Sequence, residues 1–486
     1  MMAAADANDE LISSKKLRVL LMPFFATSHI GPFTDFAVRL ATVRPGAVEP
    51  TLAVTPANAA VVASALKRHG ASASSLVKIA TYPFPAVDGL PPGVENLSAA
   101  AAGEAWRIDA AAVDEALTRP AQEALVRELS PDAVVSDFHF HWNSAVAAGL
   151  DAPCPCVTFS VIGPFSVLAM RRLVGCCGSE EDVVAVPGMP GPEIRIPVSE
   201  LPEFLRSAPD MFRRSSRTLD ASFGVVFNTF VDMERQYCDA YARGVTRAAY
   251  FVGPVSLPLP PPVESQAPAC VRWLDSKPSC SVVFVCFGTY AAVSRDQLRE
   301  LALGLEASGK PFLWVVRSSS DEDDDGGWAP PDGWEERVGE KGMLVRGWVP
   351  QTAVLAHLAV GAFVTHCGSS SLLEAAAAGV PVLTWTLVFD QFIEERLVTE
   401  VLRIGERVWH GPRSTRQEER EVVPAEAVAH AVAAFLEPGG TGEAARGRAR
   451  DLAGKARAAV AEGGSSARDL RRLVDDLIQA KAACNP

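Results

Sequence analysis

The run from Trp348 to Gln391, WVPQTAVLAHLAVGAFVTHCGSSSLLEAAAAGVPVLTWTLVFDQ, constrains this chain more than any other. Within it a short apolar strand, Gly361 to Thr365, passes through His366-Cys367-Gly368 directly into an apolar helix. Small residues at that junction, Gly368 and Ser369 to Ser371, let the backbone approach a ligand closely and aim the unpaired N–H groups of the helix's first turn at it. A phosphate is the natural guest for such a turn. Upstream, Trp348 offers a flat face for a base and Gln351 a bidentate amide. Downstream, Glu374 is an acceptor suited to a ribose diol, and Asp390-Gln391 pairs an acceptor with a donor-acceptor, as a polyhydroxyl sugar requires. The order along the chain is therefore base, phosphate, ribose, sugar.

This run resembles the plant secondary product glycosyltransferase signature of the plant family 1 UDP-dependent glycosyltransferases. Trp348, Pro350-Gln351, His357, His366-Cys367-Gly368, Ser371, Glu374, Gly379, Pro381, Trp385 and Asp390-Gln391 all match, without a gap. The resemblance covers nearly the whole chain. It implies an α/β fold of the GT-B kind, two Rossmann-like doubly wound domains facing across a cleft. It also implies that Trp348, Val349, Gln351, His366, Gly368, Ser370, Ser371, Glu374, Asp390 and Gln391 bind a UDP-sugar. Thr289, in the Phe287-Gly288-Thr289 turn, matches the family's small hydroxyl residue near the diphosphate, and Ser160 resembles one of a pair that touches the donor sugar.

At 486 residues the chain is long enough for two or three domains, and 48 % hydrophobic with 21 % charged residues is the composition of a soluble globular protein. A formal charge of −13 argues against a nucleic-acid partner, since it leaves no basic face to neutralise phosphates. The ten cysteines show no metal-ligand spacing and suit a reduced enzyme without disulfides. Lys15 to Arg18 before VLLMPFFA imitates a signal peptide, but acidic residues precede it and Pro23 interrupts it, so a first buried strand is expected. No apolar run approaches the ~18 residues of a membrane span. A cytoplasmic protein, acting as a monomer on small molecules, is the expectation.

Residues 1–16 read as a disordered leader. From Leu17 a rhythm of strands and helices sets in, with strands expected at Leu17 to Met22, Thr51 to Thr55, Val77 to Tyr82, Ala133 to Ser136, Cys156 to Phe159, Val225 to Phe230 and Tyr250 to Val252. A turn through Ala26 to His29 and a helix from about Pro32 follow the first strand. Such alternation predicts a doubly wound parallel sheet, whose ligands sit outside the carboxyl ends of the strands. The rhythm stops at Gly253-Pro254 and a proline-rich stretch, so the expected division is an acceptor-binding domain over 17–253, a linker over 254–269 and a UDP-sugar-binding domain over 270–465. A last helix over 466–486 is expected to cross back to the first domain. Asp321 to Asp325 lie in a solvated loop. Gly440 to Ala445 fits the loose pattern GxGxxA but follows a helix, not a strand, and is set aside as a cofactor loop. With no Walker A sequence, zinc cluster or carboxylate array, neither a cofactor nor a metal is expected.

Sugar transfer to a hydroxyl needs a base for the acceptor's proton and a group that stabilises the departing diphosphate. The segment PFFATSHIGPFTDFA resembles the family's N-terminal stretch, in which the histidine, here His29, is the catalytic base. Asp137, ending AVVSDF, matches the aspartate that fixes the base's tautomer, while His139 and His141 are expected to line the acceptor pocket or face solvent. Ser369 and Ser370 depart from the family pattern, replacing a tryptophan and an asparagine; Thr386 replaces a proline and Ser28 a glycine. One donor contact is thereby lost or carried by water, and the sugar site is roomier. The expected activity is inverting, metal-independent transfer of glucose from UDP-glucose to a hydroxyl of a small lipophilic plant metabolite. Extension of an existing glycoside, another UDP-sugar, and a non-catalytic UDP-sugar-binding protein are the alternatives.

Overall fold

A computed structural model describes residues 16–484, apart from 102, 175–181, 208–212, 214–215, 217–218, 245–247, 258–267, 291–292 and 317–327. The expected leader, save Lys16, and most of both the proline-rich linker and the acidic loop lie outside the described residues.

Nearly continuous apolar strands have no polar face to offer water, so they are stable only when both faces are covered, which is the environment of a parallel sheet. Two such sheets form. The first joins β1 (Leu17–Met22), β2 (Val48–Val54), β3 (Lys78–Thr81), β4 (Ala133–Asp137), β5 (Cys156–Ser160), β8 (Gly224–Phe227) and β9 (Ala248–Phe251) in the order β3-β2-β1-β4-β5-β8-β9. The second joins β10 (Val282–Cys286), β11 (Phe312–Val316), β12 (Gly342–Arg346), β13 (Val360–Thr365), β14 (Val382–Thr384) and β15 (Gly405–Arg407) in the order β12-β11-β10-β13-β14-β15. Every pairing within both sheets is parallel. A short antiparallel hairpin, β6 (Val183–Ala185) with β7 (Arg195–Pro197), was not expected from the sequence.

Strand order reverses between β1 and β4 in the first sheet and between β10 and β13 in the second. At those two points neighbouring connections leave toward opposite faces, and a crevice opens beyond the strand ends. The residues there are His29 after β1, Asp137 ending β4, Thr289 after β10 and His366 after β13.

Six helices matter for the site: α1 (Thr27–Val43), α2 (Pro164–Leu173), α3 (Val231–Gly244), α4 (Ser369–Ala378), α5 (Gln391–Arg396) and α6 (Ser465–Cys484). Helix α1 starts at Thr27 and not near Pro32, so His29 stands in its first turn and not in a loop. Pro32 is accommodated because near a helix start its missing N–H forfeits only one intrahelical bond. The GxGxxA stretch opens the helix Thr441–Val460, where a side chain on Gly442 would run into the Phe435 carbonyl; glycine there permits close packing.

Buried ion pairs join the two halves. Arg396, 2 % exposed, bonds Glu200 beyond the β6–β7 hairpin, and Arg413 reaches Glu200 at 2.7 Å and Glu395 at 2.8 Å. Burial would raise the Glu395 carboxyl, but its hydrogen bond from Arg413 and the charges of Arg413, Arg407 and Arg396 outweigh that and hold it below the usual range. Helix α6 packs its apolar stripe, Leu470, Leu473, Val474 and Leu477, into the core formed by Leu17, Val19, Ile30, Phe33 and Phe36. Its polar side ties down the last strand, since the Tyr250 hydroxyl donates to Asp476 (2.7 Å) and the Phe251 N–H to Asp469 (2.8 Å). Replacing Leu473, which is fully buried, with alanine is expected to cost about 2–5 kcal/mol, read as a lower urea midpoint for the first sheet's fluorescence transition.

Candidate active site

Asp137 is 2 % exposed and accepts from two imidazoles. His29 Nδ1 lies 2.8 Å from one carboxylate oxygen and His139 Nδ1 2.7 Å from the other. The backbone N–H groups of Phe24 and His139 add bonds of 3.2 and 3.3 Å. Burial pushes the Asp137 acid upward, yet the His29 charge and the hydrogen bonds from His139 and His29 win and hold it far below the carboxylate range. An ionised carboxylate has only acceptors, so both rings carry their proton on Nδ1. On His29, 17 % exposed at its side chain, that makes Nε2 the ring nitrogen turned away from the carboxylate. Phe24 fixes both rings, stacked on His139 at 4.1 Å and edge-on to His29 at 5.1 Å.

His139 is thus a member of this cluster, a role the alternating pattern of the sequence did not reveal. Burial lowers its ring below the usual histidine value, against the pull of Asp137, and keeps it neutral. Asp137 does not cap the helix Asn143–Ala148, whose start has no side-chain cap. Among the described residues His29, Asp137 and His139 also form the one group of metal-type donors within reach of one another. The Nδ1 atoms of both rings are engaged with the carboxylate.

Two further carboxyls feel the His29 ring. Asp109, in the helix Ala105–Val113, is pushed up to about 7 by burial, with His29 acting in the opposite sense. Asp390 is also raised by burial and also opposed by His29. Asp390 precedes α5 of the second half, so the imidazole of the first sheet and the expected sugar-holding carboxyl of the second share one space. Tyr290 stands beside them, its ring 5.0 Å from Phe389 and its hydroxyl held up to about 12 by burial and then by Asp109.

In the second half the chain turns sharply on both sides of this space. Cys367 (φ 65°) and Phe389 (φ 56°) occupy the left-handed region without being glycine, a strain that persists only where the surroundings impose it. The first turn takes the chain from β13 into α4, whose N-cap Gly368 gives no side-chain cap, so the first-turn N–H groups stay available to a ligand. Gln351 donates to Ser371 (3.1 Å) and Glu374 (2.8 Å), which gathers three of the expected donor residues. Glu374 is pushed up to about 7, first by burial. The Gln391 side-chain carbonyl oxygen accepts from the Leu387 and Val388 N–H groups, both at 2.9 Å. Trp348 is 67 % exposed, an uncovered aromatic face, while Val349 beside it is buried.

His366 lies over Gly288, and burial lowers its ring to about 4, so it acts as a neutral hydrogen-bonding group. His366 Nδ1 and Asp390 Oδ2 are buried with no protein partner. Orphaned buried polar atoms are rare, and two of them among the expected donor residues mark a ligand site. Thr289 follows β10 on the same side. Ser160 ends β5 and donates to the Ile162 carbonyl (2.8 Å), so its hydroxyl is already used.

Two Rossmann-like sheets whose switch points hold a histidine–aspartate pair on one side and an uncapped helix start on the other define a GT-B glycosyltransferase architecture. Residues 240–402 match the family model described as UDP-glucoronosyl and UDP-glucosyl transferase. The chain is 34 % identical to scopoletin glucosyltransferase of Nicotiana tabacum over 95 % of its own length and 98 % of the relative's. It is 36 % identical to anthocyanin 3'-O-beta-glucosyltransferase of Gentiana triflora, covering 95 % and 98 %. The crystal structure of Glycyrrhiza uralensis UGT73P12 complexed with glycyrrhetinic acid 3-O-monoglucuronide superposes with a TM-score of 0.84 at 31 % identity, covering 96 % of this chain and 97 % of that one. The chain belongs to the plant family 1 UDP-glycosyltransferases, and it is an enzyme of glycosyl transfer.

Gly288 sits at φ 74°, and a Cβ there would lie 2.6 Å from His366 Nε2. Gly288→Ala is therefore expected to displace that ring and weaken UDP binding by roughly tenfold or more, measured by calorimetry, from strain of about 1–3 kcal/mol.

Proposed function

We propose that the enzyme transfers glucose from UDP-glucose to a hydroxyl of a small lipophilic plant metabolite, a phenolic, flavonoid or terpenoid, with inversion and without a metal. The observation that carries this reading is the 2.8 Å contact of His29 Nδ1 with buried Asp137, which leaves Nε2 as the basic atom. His29 takes the acceptor's proton as the oxygen attacks the anomeric carbon, and Asp137 stabilises the imidazolium that results. Direct displacement turns an α-linked donor into a β-glycoside. The departing diphosphate is met by the N-terminus of α4, Ser370, Ser371 and Thr289, whose dipoles need no reorganisation. Asp390 and Gln391 hold the sugar, Trp348 stacks on the base, and Glu374 meets the ribose. The acceptor belongs to the domain over 17–253 and the donor to that over 270–465. The glucosyltransferase names of the Nicotiana and Gentiana relatives support glucose and a phenolic acceptor. A pure sugar-binding protein would have no use for an oriented base.

A second reading is favoured by the Glycyrrhiza structure, whose ligand already carries a sugar. Aglycones and their monoglycosides assayed side by side with UDP-glucose, following UDP release, separate the two. Folded protein that releases no UDP with any acceptor would overturn both. The enzyme is also read as a cytoplasmic monomer; separately, among the described residues no helix is long and apolar enough to cross a membrane. Sedimentation and cell fractionation check that. His29→Ala is expected to lower kcat by about 10²–10⁴ while UDP still binds, as calorimetry beside turnover would show.

A further inference from the structure

Where the family carries a tryptophan this chain has Ser369, and its hydroxyl is not free: it donates to Glu394 Oε1 at 2.5 Å. Ser369 is the first residue of α4 and Glu394 belongs to α5, so a carboxyl from one helix is docked on the opening turn of another. Helix α4 has no acid of its own in that turn. We propose that Glu394 is a further determinant of donor binding, a carboxyl that admits the donor's diphosphate to the start of α4 only while it keeps its proton, and so sets an alkaline limit on binding. The inference rests on the reading of α4 as the diphosphate cradle.

The surroundings of Glu394, 4 % exposed, offer its charged form little support. From its own turn it faces Asp390; from α3 of the other half it faces Glu234, and from α2 the Ser166 hydroxyl. The Cys367 thiol at the end of β13 is held protonated, first by burial. Glu234 is itself pushed up to about 7 by burial, against bonds from Thr229 and the Phe165 N–H. The nearby cations are turned away: Arg396 to Glu200, and Arg407 and Arg413 to Glu395. Burial, followed by Asp390, pushes Glu394 up to about 8, so near neutrality it is a carboxylic acid. A neutral acid and a diphosphate can share one helix start. Two anions there repel each other across the same helix start.

The sign follows from linkage. Bound diphosphate favours the protonated carboxyl, so affinity is full below the free-enzyme value and falls as pH rises through it. The test is calorimetric titration of the full chain with UDP at constant ionic strength, from about pH 6.5 to about pH 9.5. The wild-type Kd is expected to rise by about tenfold or more across that range relative to the Kd of Glu394→Gln, which keeps the Ser369 bond and cannot ionise, so that titrations shared by both proteins drop out of the ratio. Titration of the uracil is common to every variant and cancels. Ser369→Ala removes a bond that favours the charged form, so its loss of affinity begins at higher pH, and this shift decides the matter if Glu394→Gln fails to fold. A flat wild-type profile, or a Glu394→Gln profile parallel to it, overturns the inference alone. Absence of UDP binding at every pH overturns the donor-site reading and the inference with it.

Discussion

Everything in this molecule depends on the way a parallel sheet ends. A strand buried on both faces satisfies its backbone along its length, but past its last residue the chain must leave, and where neighbours leave in opposite directions nothing fills the gap. This chain makes that gap twice, at β1 and β4 and again at β10 and β13. In each sheet a histidine stands in the gap, but their states differ. His29 is oriented by an ionised partner, while His366 is stripped of water and neutral. One fold feature thus places an oriented imidazole on one side and a desolvated, neutral one on the other.

For the gaps to work together the halves must hold a set orientation, and the buried guanidinium–carboxylate cluster of Arg396, Arg413, Glu200 and Glu395 bears on that. Buried ion pairs rarely add net stability over apolar packing, because two desolvation costs oppose the attraction. They are demanding about geometry, since each carboxylate oxygen accepts only from where a donor points. The same stretch of α5 carries Glu394 and follows Asp390, so the clamp and the orphaned Asp390 carboxyl share one short stretch of chain.

Much of this was legible in the sequence because it is local. The strand-to-helix junction at His366, the two sheets and the histidine–aspartate pair follow from apolar runs, small residues and a matched signature, and the glycine-rich distractor at Gly440 proves to be close helix packing. What escaped is what depends on approach through space. His139 joins Asp137 because the chain turns back immediately after β4, which alternation along a strand cannot express. Asp109 and Glu394 are ordinary acids in the sequence and become notable only when folding buries them, Asp109 beside His29 and Glu394 beside Asp390 and Glu234. Proline favours a helix's first turn, yet α1 begins at Thr27 and carries Pro32 in its second turn, so its start is not legible from the proline.

The chain's last long helix completes a core begun at its first strand: Leu470, Leu473, Val474 and Leu477 close over Leu17 and Val19. During synthesis the first sheet can assemble long before those leucines leave the ribosome. Until then it presents a greasy furrow between β9 and α1, and the nascent chain must keep that furrow from other molecules while the whole second half is made. The N-terminal half, first out of the ribosome, is the last to be sealed.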